Sequence, residues 1–118
     1  MPPFFLSAPQ SRIPRYAAVR LNGKMMAYIK VRWKHEDPND PILLYIEMDN
    51  ERWEVRRVEV FPDGSFGYAD RSTSRGTTSL SSEPISTLSQ IAANPAFEPV
   101  TITNDEFEAV WLKATGQV

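Results

Sequence analysis

Few side chains in this sequence could do chemistry. His35 is its single histidine and cysteine is absent, which excludes thiol nucleophiles, disulfides and thiolate metal sites. A zinc site would need at least two carboxylates beside His35, and no spacing supplies them. No GxSxG elbow and no glycine-rich phosphate loop is present. We therefore expect no catalytic residues, no metal and no cofactor, and a protein that is not an enzyme.

Carboxylates crowd one part of the chain. Paired carboxylates can do acid–base work when their environments separate their pKa values. Most of these groups fall in predicted turns or on the outer faces of predicted strands, which favours a solvated acidic surface over catalysis. The set is Glu36, Asp37, Asp40, Glu47, Asp49, Glu51 and Glu54.

Aromatic side chains offer a second kind of site. Trp33, Trp53 and Trp111 are expected to form most of the core, although a pocket lined by Trp33, His35 and Trp53 is the alternative. His35 continues the inward phase of its strand, which favours a hydrogen-bonded structural histidine. Tyr45 has the opposite phase to Leu44 and Ile46, on the face we expect the helices to leave open, where an aromatic residue is a plausible interface anchor.

The charge is distributed unevenly along the 118 residues. Residues 1–24 carry four basic and no acidic side chains, whereas residues 25–118 carry nine basic and fifteen acidic ones. The first part is rich in proline and has neither secondary-structure period, so residues 1–25 are predicted to be a basic, poorly structured leader and residues 26–118 a single domain. No apolar run is long enough to cross a bilayer, and we expect a cytoplasmic protein.

Alternating hydrophobicity predicts the strands that must position these residues. One strand covers 28–35, a proline-containing turn follows, and a second strand covers 42–48. A third covers 52–61 with a bulge near Arg56-Arg57, because its apolar phase changes there. The turn Pro62-Asp63-Gly64 leads to a fourth strand, and the irregular loop predicted for 70–82 contains a candidate short edge strand at 77–80.

Two helices are predicted near the end of the chain. Ser86 is the expected N-cap of a short helix that ends at Ala92 or Ala93, and Thr103 is the expected N-cap of a longer one, with Glu106 completing a capping box. The predicted fold is α+β: a twisted antiparallel four- to five-stranded meander sheet with two C-terminal helices packed on one face.

The strand sequences also carry a resemblance to a known family. The segments that carry it are 28–35, 41–49, 52–61, 63–64, 84–86, 91–92 and 106–111. The chain resembles, over roughly residues 26–114, a family of small bacterial proteins of unknown function. This resemblance supports the domain boundary and implies no catalytic residue.

Three functions remain open from the sequence. The first is a protein-binding module, an immunity or inhibitor protein that neutralises a basic partner such as a bacterial toxin through an acidic surface. The second is a small-ligand binder or minor enzyme with the pocket near Trp33, His35 and Trp53. The third, a nucleic-acid-associated regulator using the leader and the Lys30, Arg32 and Lys34 stripe, is disfavoured because the domain is acidic. The residues expected to bind a protein partner are Tyr45, Glu47, Asp49, Glu36, Asp37 and Glu54.

Overall fold

The computed structural model describes residues 20–21 and 24–116, with side chains from Met26 onward. The predicted leader, residues 1–25, therefore lies largely outside the described residues, and only a short strand and the start of the next fall within it. The elements are β1 (Arg20–Leu21), β2 (Lys24–Trp33), β3 (Leu43–Asp49), β4 (Glu54–Val60), β5 (Phe66–Ala69), β6 (Ser74–Arg75), α1 (Leu88–Ala92), β7 (Phe97–Thr101) and α2 (Asn104–Ala114).

Six strands form an antiparallel sheet in the order β7-β2-β3-β4-β5-β6, and β1 adds a two-residue pairing at the start of β2. The meander from β2 to β5 confirms the predicted strand order. The predicted bulge is present close to its expected place: Glu47 pairs with Arg56 and Met48 with Glu54, so Val55 is the extra residue.

The strand number was predicted too low. β7 lies between the two helices and pairs along β2, with Trp33 opposite Phe97. Its central Pro99 has no N–H and is therefore tolerated at a sheet edge, but in the sequence it argues against a strand. The short edge strand beside β5 is Ser74–Arg75, not 77–80.

The two helices lie on opposite faces of the sheet, which corrects the prediction that both pack on one face. Ile91 of α1 packs in a core cluster with Ile29 and Val31, whereas Phe107 of α2 packs with Tyr28. Successive strand residues point to opposite faces, so Tyr28 and Ile29 mark different sides. We call these sides the α1 face and the α2 face.

The helix N-caps follow the predicted residue chemistry with a shift of one residue at α1, but of the capping box predicted at α2 only the Thr103 half is observed. Thr87, not Ser86, is the N-cap of α1, and it forms a reciprocal capping box with Gln90. Thr103 is the N-cap of α2, where its hydroxyl accepts a hydrogen bond from the backbone of Glu106 at 3.1 Å.

The tryptophans contribute less to the core than predicted. Trp33 packs beside the α1-face cluster and Trp111 beside the α2-face cluster, each partly buried. Trp53 is 43% exposed, so it is neither a core residue nor a neighbour of the Trp33 pocket. The bulge at Val55 accounts for this placement, because it turns Glu54 rather than an apolar neighbour into the interior.

Candidate functional site

A charged group lies buried in the α1 face. Arg57 is 1% exposed, and its guanidinium binds both carboxylate oxygens of Glu54, at 2.7 and 2.9 Å, and Glu59 at 3.2 Å. We call these three residues the inner cluster. Burial raises the pKa of Glu54, and the contacts with Arg57 oppose that rise.

The segment after β6 closes over the inner cluster. Thr78 donates its hydroxyl to Glu59 at 2.8 Å, and the Ser81 amide donates to Glu54 at 2.6 Å. The close approach of this segment requires glycine in β5, because a Cβ at Gly67 would lie 2.1 Å from Thr78 Oγ1. The inner cluster therefore fixes the 77–81 segment onto the sheet.

A second charged group joins the sheet to α2. Arg56 pairs with Glu47 from β3 and with Glu108 from α2, and its guanidinium lies 4.9 Å from the ring centre of Phe107 and 5.0 Å from that of Trp111. Burial alone would lower the pKa of Arg56, but the hydrogen bonds to the two carboxylates outweigh burial and raise it. This arrangement holds the aromatic stripe of α2 against the sheet.

Tyr28 extends the same network. Its hydroxyl donates to Glu47 at 2.9 Å and accepts from Asn104 at 2.6 Å. Burial, together with the neighbouring Glu47 carboxylate, raises the pKa of Tyr28 to about 12.

These contacts alter the set of residues expected to bind a partner. Glu47 and Glu54 are 5% and 4% exposed and form ion pairs with arginines of the same chain. They are therefore part of the protein interior and do not bind a partner. Tyr45 is partly buried in the α2-face cluster, which corrects the view that its face is uncovered. Asp49 lies at the end of β3, where it accepts hydrogen bonds from the Glu51 and Trp53 amides.

Glu36 and Asp37 remain exposed, and the structure adds two acids beside them. The 34–42 loop between β2 and β3 and the 61–65 turn between β4 and β5 lie at one end of the antiparallel sheet. The carboxylates on them are Glu36, Asp37, Asp40 and Asp63, which we call the acidic end. Within the described part of the chain none of the four forms an ion pair.

Asp63 was missed from the sequence because its turn was interpreted only as a hairpin signal. Its carboxylate accepts hydrogen bonds from the hydroxyl and amide of Ser65, which hold the pKa of Asp63 below its usual range. Asp63 is therefore ionised at neutral pH. Asp49, in contrast, lies at the opposite end of the sheet.

A cavity of about 170 Å³ lies at the acidic end. Trp33 and Phe61 supply aromatic walls, and Asp40 lines it from the β2–β3 loop. Arg57 and Glu59 of the inner cluster also line it, so a buried ion pair borders the cavity.

A larger hollow of about 470 Å³ lies beside Trp33 and His35 and is also lined by Arg32 and Leu43. Both ring nitrogens of His35 form hydrogen bonds with backbone groups. Nδ1 accepts from the Asp37 amide at 3.0 Å, so Nε2 carries the proton and donates to the Pro41 carbonyl at 2.8 Å. This geometry is that of the structural histidine favoured by the sequence. The structure thus brings Trp33 and His35 together without Trp53.

The basic stripe of β2 is largely paired. Lys30 lies 3.7 Å from Glu106 of α2, and Lys34 lies 3.2 Å from Glu98 of β7. The predicted fold placed both helices on the other face of the sheet and lacked β7. Glu106 and Glu98 were therefore not expected as partners of this stripe.

Within residues 26–116 there is no group of three or more histidine or acidic side chains placed to hold a metal ion. Among the helices of the described chain, none has both the length and the apolar character needed to span a membrane.

Comparison with known families adds one match. The model of DUF6881, a domain of unknown function, matches residues 27–116. The chain belongs to this family. The DUF6881 region contains both charged groups, the acidic end and both hollows. No curated protein and no solved structure matches the chain.

Proposed function

We propose that the DUF6881 domain is a protein-binding module of the inhibitor or immunity type, which binds a basic protein such as a toxin through the acidic end. The observation that carries this proposal is the presence of Glu36, Asp37, Asp40 and Asp63 on two adjacent turns, where none of the four forms an ion pair with another described residue. Charge of one sign concentrated on one part of a surface steers an oppositely charged partner and suppresses wrong ones.

The distribution of the other charges supports the same proposal. Three acidic side chains, Glu47, Glu54 and Glu59, are buried and held by Arg56 and Arg57. Leaving these five aside, residues 25–118 carry twelve acidic and seven basic side chains. Most of the excess negative charge of the domain is therefore carried by side chains outside its buried ion pairs, which a partner can contact.

Affinity capture with paired variants tests this proposal. The full chain, tagged, is compared with an acidic-end variant carrying Glu36→Gln, Asp40→Asn and Asp63→Asn. We expect a basic protein to be retained by the unmodified chain in stoichiometric amount and lost from the acidic-end variant, because each change removes a charge and keeps the side-chain shape.

The matched control removes the same charge from the opposite end of the domain, with Glu51→Gln, Asp70→Asn and Glu83→Gln. This variant should retain the partner. Equal loss of the partner from both variants would show that net charge alone acts, and equal retention by both would contradict the acidic end as the binding surface.

A small-ligand function is the second candidate, and the hollow of about 470 Å³ beside Trp33 and His35 favours it. Because both ring nitrogens of His35 are bound to backbone groups, this site would bind a ligand rather than transfer protons. Screening a small-molecule library by NMR tests it: shifts of the Trp33 indole and Leu43 amide support the ligand function, and their absence for every compound argues against it.

A further inference from the structure

The cavity of about 170 Å³ at the acidic end has a composition suited to one chemical group. A single water needs only about 10–15 Å³ of such space, so the cavity has room for the end of a side chain. Its lining combines two aromatic residues, Trp33 and Phe61, with two acidic ones, Asp40 and Glu59.

The charge of the lining is negative although an arginine is part of it. Arg57 binds both oxygens of Glu54 and one oxygen of Glu59, so its positive charge is already shared between two carboxylates. Asp40 adds a further negative charge, and no cation of the described residues pairs with it. A cation that enters the cavity therefore meets net negative charge.

Glu59 also retains capacity to accept hydrogen bonds. One oxygen accepts from Thr78 and the other from Arg57, whereas a carboxylate offers about four acceptor positions. An incoming donor can therefore bind Glu59 without breaking either existing contact.

We propose that this cavity binds a guanidinium group, presented by an arginine side chain of the basic partner. A guanidinium is planar, stacks on aromatic rings and donates paired hydrogen bonds to carboxylates, so it matches the lining better than an ammonium, which is a compact, strongly hydrated charge. This inference rests on the proposed function for the source of the arginine, but the selectivity of the cavity can be measured alone.

The test uses the isotope-labelled full chain and two small probes. N-acetyl-arginine methylamide carries the guanidinium, and N-acetyl-citrulline methylamide has nearly the same shape without charge. We expect the arginine probe to shift the Trp33 indole and the Asn39 and Asp40 amides in a saturable manner, and the citrulline probe to leave them unchanged. N-acetyl-lysine methylamide should bind more weakly than the arginine probe.

Two single variants locate the binding. Asp40→Asn should weaken the arginine probe about tenfold, which is the lower end of the effect of losing a hydrogen bond to a charged group. Asp63→Asn, which removes one charge from the same end but outside the cavity lining, should change the affinity less than about twofold, because exposed charges contribute little. Equal weakening by both variants, or equal shifts with the citrulline probe, would overturn the inference.

The outcomes separate the cavity from the proposed function. If a basic protein is captured through the acidic end but the arginine probe produces no saturable shift, the guanidinium site is wrong and the docking function stands. If the probe binds selectively but no basic protein is captured by any form of the chain, the site is confirmed and the docking function is contradicted.

Discussion

At the scale of single residues, Arg57 is the residue whose charge most needs its partners, because its guanidinium is buried in the protein interior. It is fully buried and neutralises parts of two buried carboxylates. Removing one partner of a buried charge pair leaves the other uncompensated in the interior.

Arg57→Ala should therefore lower the free energy of unfolding by about 3–5 kcal/mol, measured by urea denaturation. The loss should shrink at acid pH, because the raised pKa of Glu54 allows that carboxyl to become neutral sooner than in the unfolded chain. Arg75→Ala is the control, since Arg75 is exposed on β6 and its loss should cost less than about 0.5 kcal/mol. A similar cost for the two variants would show that the inner cluster is not needed for stability.

Tyr28 gives a prediction about alkaline pH. Its pKa is raised from 10.0 to about 12, so the folded state keeps the phenol proton where the unfolded chain loses it. This contribution to stability is fully present below about pH 10 and is lost as the pH rises towards 12.

Absorbance of the tyrosinate form measures this directly. One tyrosine of the folded chain should ionise near pH 12, and that late step should be missing in Tyr28→Phe. Identical titration curves for the two proteins would contradict the hydrogen-bonded, buried placement of Tyr28 beside Glu47.

At the scale of elements, much of the sheet follows from local sequence. β2 and β3 alternate cleanly and the turns between strands contain proline, aspartate or glycine, so their order and approximate bounds can be predicted. The Thr103 cap of α2 follows from the residue type at the helix start. The resemblance to a family of unknown function, carried by strand, loop and helix segments together, is confirmed by the match over residues 27–116.

The elements that could not be predicted depend on contacts distant in sequence. β7 forms a strand by pairing with the edge of β2, a contact distant in sequence. Its own sequence does not indicate a strand, because Pro99 at its centre disfavours one. Glu47 was expected to be solvated because its face of the sheet was predicted to be uncovered, whereas α2 covers that face. Glu54, Arg57 and Glu59 lie on the α1 face, where the bulge at Val55 turns Glu54 inward and the 77–86 segment closes over the three residues. This is why Glu47 and Glu54 were assigned to a partner and Arg57 and Glu59 were not recognised as buried.

The contact between β5 and the 77–81 segment gives a prediction at this scale. Gly67→Ala places a methyl group where Thr78 Oγ1 lies, so Thr78 must move away from Glu59. We expect a loss of about 1–3 kcal/mol in urea denaturation, as for other overpacked sites.

A double-mutant cycle provides the control. Thr78→Ala removes the hydroxyl that the new methyl group meets, so Gly67→Ala should cost markedly less in the Thr78→Ala background. Additive costs would show that the two residues do not compete for the same space.

At the scale of the whole molecule, the domain has two sets of acidic side chains, one buried beneath the helices and loops that cover the sheet and one exposed at its end. Buried acids paired with arginine fix α2 and the 77–81 segment to the sheet, and among them Glu59 also borders the cavity at the acidic end. The carboxylates of the acidic end, which form no ion pair among the described residues, are positioned by the turns that join the strands. The strands therefore hold the buried acids, and the turns between them hold the exposed ones. The proposed docking surface is therefore an end of the sheet rather than a face.

The most direct measurement of this claim is amide hydrogen exchange of the full chain with and without the captured basic protein. Exchange reports which backbone amides the partner shields or stabilises. The account predicts that added protection is concentrated in the 34–42 loop and the 61–65 turn, with little change at 49–53 and 70–73 at the other end. Protection confined to that other end, or to β7, would contradict the acidic end as the docking surface.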